Sequence, residues 1–87
     1  MEELLQRFSK GDNVRSEILK NAVAATPAIE RMLLQGDNEV VIRLLEEVVA
    51  KLPFYAVLAL HDTVSNLALR ADDVGDAARK ALQVMQP

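Results

Sequence analysis

A chain of 87 residues and 9.6 kDa holds one domain, spanning residues 1–87, rather than two. Its apolar fraction of 51%, charged fraction of 26% and net charge of -3 argue against a disordered polymer and against a nucleic-acid-binding chain, whose affinity comes from concentrated positive charge. With no cysteine and a single histidine, disulfides, thiolate chemistry and a metal site built on a histidine pair within one copy are excluded as well.

The first predicted helix covers residues 2–10, with Leu4, Leu5 and Phe8 as its apolar side. Its acidic start, Met1-Glu2-Glu3, is unlike the basic start of a secretory signal, and the chain reads as a complete small cytoplasmic protein. Gly11-Asp12-Asn13 forms a joint in which Gly11 ends one helix in a left-handed conformation and Asp or Asn caps the next. The second helix, 14–25, aligns Val14, Ile18, Ala22 and Ala25, with Leu19 and Val23 beside them. Pro27 then opens a third helix, 27–35, with Thr26 as its cap and Ile29, Met32 and Leu33 as its apolar side.

Gly36-Asp37-Asn38 repeats the first kind of joint. The fourth helix, 38–52, carries Val40, Leu44, Val48 and Leu52, flanked by Val41, Leu45 and Val49. The branched run Val40-Val41-Ile42 also suits a strand. Helix is preferred because Glu39, Arg43, Glu47 and Lys51 recur every four residues, placing each acid four residues before a base on a solvent-facing row. Pro53 opens the fifth helix, 53–70, whose stretch from Phe54 to Leu60 is apolar on every side. Such a helix belongs at the centre of the core, with its N-terminal half near a partner surface. The sixth helix, 73–85, follows Ala71-Asp72-Asp73.

Aspartate and proline joints alternate, which divides the chain into helical hairpins over 2–25, 27–52 and 53–85. The Asp12-Asn13-Val14-Arg15 joint resembles those of HEAT-type α-helical repeats, where Asp and Val-Arg often open a second helix. The resemblance covers joints and not cores. The intervals between Asp12, Asp37 and Asp72 are 25 and 35 residues, too unequal and too short for that repeat. The predicted fold is therefore all-α, a compact bundle of five to six short helices arranged as helical hairpins.

No motif in the sequence marks a catalytic, cofactor-binding or metal-ligating residue. A DNA-reading hairpin over Thr26–Leu45 would put Glu39, Glu46 and Glu47 on its recognition helix, where they repel phosphate. His61 and Ser65 share a helix face, but Asp62 is rotated by about 100° and cannot orient the ring. His61 is thus expected as a half-packed boundary residue. Asp72, Asp73 and Asp76 suit a helix N-terminus better than a cation cage. The three glycines stand too far apart to cradle a phosphate.

Phe54 and Tyr55, being consecutive, cannot both face one core, and with Leu58 they are the candidate interface residues. The functional expectation is a non-enzymatic interaction module that self-associates as a two-fold dimer, serving as an adaptor, an assembly subunit or an inhibitor of a protein partner. It needs no cofactor, nucleic acid or membrane. The alternatives are a transcription-type regulator or a small-ligand-binding bundle.

Overall fold

Segments whose apolar residues recur at three- and four-residue intervals fold as helices in the computed structural model, which describes residues 2–85 apart from the side chains of residues 2, 54 and 85. The elements are α1 (Glu2–Ser9), α2 (Arg15–Lys20), α3 (Ala22–Gln35), α4 (Asn38–Glu47), a single 3-10 turn (Val49–Lys51), α5 (Phe54–Leu67) and α6 (Asp73–Met85). No strand occurs among the described residues, so the all-α bundle is the architecture and Val40-Val41-Ile42 is helical.

The joints differ from expectation: α2 starts after Val14 and α4 after Asp37, neither with the side-chain cap expected of Asp12-Asn13 and Asp37-Asn38, and three further joints change. Pro27 does not start a helix but lies inside α3, and the break comes at Asn21 instead. Thr26 accordingly caps nothing; its Oγ1 donates back to the Ala22 carbonyl at 2.7 Å. Proline is tolerated there because Val23, whose carbonyl Pro27 cannot serve, and Pro27 itself are both exposed, and a carbonyl without an N–H partner costs least on the wet side of a helix.

Gly36 is not left-handed: φ is -75° and ψ 162°. A Cβ at Gly36 would sit 2.7 Å from the Met32 carbonyl oxygen, so close approach explains the glycine. Gly11 does adopt the left-handed form, at φ 99°. Finally, Pro53 stands one residue before α5, and its carbonyl accepts from the Ala56 and Val57 N–H groups at 3.0 and 3.1 Å.

Helices α5 and α6 form the expected C-terminal hairpin. The middle hairpin is looser: α3 packs mainly along α5, and α4 along α6. The extended residues Gly36 and Asp37 (ψ 162° and 151°) separate α3 from α4 and permit this exchange of neighbours. Helices α1 and α2 close over α3.

One contiguous cluster results, including Leu5, Phe8, Ile18, Ile29, Leu44, Leu45, Leu60 and Val74, and no polar or charged residue is buried among the described residues. The accessible surface, 5145 Å², equals the roughly 5,100 Å² that size scaling gives for a monomer of this mass. One copy therefore hides its core unaided. The apolar surplus is what remains outside: Val23, Leu34, Tyr55, Leu58, Leu69 and Val84.

The predicted solvent row on α4 is only half in solvent. Glu39 and Lys51 are exposed, but Arg43 and Glu47 are half-buried. Arg43 lies over the Phe8 ring, 4.6 Å from its centre, and donates to the Phe8 carbonyl at 3.2 Å. Glu47 bridges Arg43 (3.4 Å) and Arg15 (3.2 Å). The row fastens α1 and α2 to α4.

Candidate functional site

The apolar face of α5 is split. Ala56, Val57, Leu60, Val64 and Leu67 are buried, and that alignment turns Tyr55, Leu58 and Ala59 outward. Tyr55 is 58% exposed and Leu58 64%. They lie one turn apart, so they share a stripe of the helix surface. The Phe54 side chain, also a candidate, lies outside the described residues.

A second stripe runs along the neighbouring helix. Ala25, Ala28, Ile29 and Leu33 face the core, and Val23, Pro27 and Leu34 face out. Once α3 is taken as continuous through Pro27, its wheel makes this stripe visible. Breaking the helix at Pro27, as the sequence suggests, conceals it.

The remaining polar features serve the joints. Asp72 Oδ1 accepts the Gly75 N–H at 3.0 Å, the side-chain cap expected at the start of α6. Asp72 Oδ2 pairs with Arg70 at 2.6 Å, and Arg70 reaches Asn38 Oδ1 at 3.4 Å. Arg79 pairs with Asp76 and donates to the carbonyls of Ala68 (2.6 Å) and Arg70 (3.2 Å), covering the C-terminal end of α5. Among the described residues no group of three His, Asp or Glu side chains is placed to hold a metal ion.

The Gly75 N–H does most to hold the Asp72 carboxyl below its ordinary value; desolvation opposes this, and the Arg70 guanidinium adds to it. A carboxyl depressed on folding stabilises the fold above its unfolded value, near about 4, and loses that contribution as pH falls through the folded value. Asp72→Asn keeps a capping side chain but cannot titrate. Urea midpoints followed into acid should therefore fall less steeply for Asp72→Asn than for the parent chain. Equal acid slopes would contradict this role for Asp72.

His61 is exposed rather than half-packed, and its Nδ1 lies 3.5 Å from Ser65 Oγ. The predicted shared face is present, but the described residues give the ring no carboxylate partner to orient it. A cleft of about 200 Å³ lies elsewhere, between α1 and the end of α3, lined by Leu5, Gln6, Ala28, Met32 and Gln35 among others. On α4, Glu39 and Glu46 are exposed. No helix among the described residues is long and apolar enough to cross a membrane.

The Arg43–Phe8 and Arg15–Glu47 contacts join residues 35 and 32 positions apart, and no local pattern announces them. Comparison of the chain with protein-family models, curated proteins and solved structures found no match.

Proposed function

We propose that this protein is a non-enzymatic helical interaction module of the cytoplasm that pairs with a second copy of itself across a two-fold axis, through the outer face of α5. The observation that carries this reading is the pair Tyr55 and Leu58, both more than half exposed on a helix whose other side is fully packed. Tyrosine brings a broad apolar body and a polar tip, which suits an anchor at a protein interface. Burying the stripe removes apolar surface from water, and the two-fold axis sets each stripe against its equivalent. Nucleic acid is not a partner in this reading, because Glu39 and Glu46 are exposed on α4 and would repel phosphate.

Light scattering after gel filtration tests the proposal. The chain should run as a dimer at tens of micromolar. Leu58→Glu should weaken association on the order of thirtyfold, as loss of an interface anchor does. Its unfolding midpoint should stay close to that of the parent monomer, since Leu58 is not part of the core. A chain that stays monomeric at that concentration, or a dimer indifferent to Leu58→Glu, would remove this reading.

A further inference from the structure

The break between α2 and α3 is a single residue wide. Asn21 (φ -113°, ψ 37°) ends one helix and begins the next. Its backbone N–H goes to the Ile18 carbonyl at 3.2 Å, three residues back instead of four. Its side-chain Nδ2 takes the Glu17 carbonyl, at 2.9 Å, which its own N–H would hold in a continuous helix. The Ala25 N–H already bonds the Asn21 carbonyl at 2.8 Å, as α-helix does.

Straightening here therefore returns a carbonyl from a side chain to a backbone N–H. It also gives the first N–H groups of α3, which receive no side-chain cap, the carbonyls at the end of α2. The sequence agrees with the straight form, because Val14, Ile18, Ala22 and Ala25 keep helical spacing across the break.

What holds the bend is tertiary. Leu5, Phe8, Val14 and Ile18 are each at most 2% exposed, and the Arg43–Phe8 and Arg15–Glu47 contacts tie the same segment to α4. In a domain swap the same contacts are made with the matching surface of a second copy. We propose that residues 2–20 are an exchangeable arm: straightening at Asn21 lets two copies trade arms and form a domain-swapped dimer. The exchange uses neither Tyr55 nor Leu58, so it stands apart from pairing through α5.

Asn21→Ala favours the straight helix by about threefold per hinge, or about tenfold for a dimer with two hinges. Asn21→Gly works in the opposite direction. After refolding at high concentration with Leu58→Glu present in every chain, which suppresses pairing through α5, Asn21→Ala should give about tenfold more dimer than Leu58→Glu alone, and Asn21→Gly less than Asn21→Ala. Because the chain has no cysteine, Arg15→Cys and Glu47→Cys can be added to Asn21→Ala and joined by a short bismaleimide. A denaturing gel should then show two covalently linked chains from the dimer fraction. Equal dimer yield from the Ala and Gly variants, no gain of dimer over Leu58→Glu alone, or crosslinks confined to single chains would each overturn the proposal.

Discussion

Gly75→Ala should lower stability by about 3 kcal/mol, the upper end of what overpacking costs. Alanine is ordinarily the better helix residue, by about 1 kcal/mol, so the sign of the change is itself the test. A Cβ at position 75 would lie 1.9 Å from the Arg70 carbonyl oxygen and 2.7 Å from its carbon. Those are backbone atoms, with no flexible side-chain tip to swing aside. Relief requires moving the first turn of α6 away from the α5–α6 joint. That motion breaks the Asp72–Gly75 cap and pulls Arg79 from the Ala68 and Arg70 carbonyls. It also disturbs Val74, Ala77 and Ala78, all buried against the core. A chain of this length has about 4–13 kcal/mol in total, so the variant loses from about a quarter to about three quarters of its stability. Circular dichroism during urea titration measures this. An unchanged or raised midpoint would show that the joint gives way freely.

Phe8→Ala should cost about 3–5 kcal/mol, the range for removing a buried aromatic ring. Phe8 is 1% exposed, and its ring also supports the Arg43 guanidinium, 4.6 Å from the centroid. Truncation leaves a cavity beneath α1 and takes away the face on which Arg43 rests. Phe8→Leu should cost much less, because it refills most of the volume. The order of urea midpoints is therefore parent, Phe8→Leu, then Phe8→Ala. Equal midpoints for the Leu and Ala variants would mean that the ring does not fill the core. The same loss loosens α1 on α3, so hydrogen exchange in residues 2–20 should quicken before that of α5 and α6.

Much of the candidate site was legible in local pattern. The stretch after Pro53 is greasy on every side, and a helix inside a small bundle has one side too many for its neighbours. Tyr55 and Leu58 are what is left over, and their outward position follows from the phase set by Ala56, Leu60 and Val64. The stripe on α3 was hidden by Pro27, because proline ordinarily breaks a helix and here does not. His61 is expected half-packed, yet its own angle on α5 turns it out to solvent.

By itself the sequence determined that this is an all-helical protein, roughly where its helices lie, and that Asp72 caps the last of them. These features depend on neighbours within about one helical turn: apolar spacing, caps and turn residues act through contacts that the chain order already specifies. Only the tertiary structure decided that α3 pairs with α5 and α4 with α6, that the chain bends at Asn21 and not at Pro27, and that Arg43 and Glu47 leave the solvent row to grip α1 and α2. Those choices rest on burial shared by residues far apart in the chain. Local preference near Asn21 favours a straight helix; packing Leu5, Phe8, Val14 and Ile18 outweighs it, because apolar area withdrawn from water amounts to more than the few helix bonds forgone.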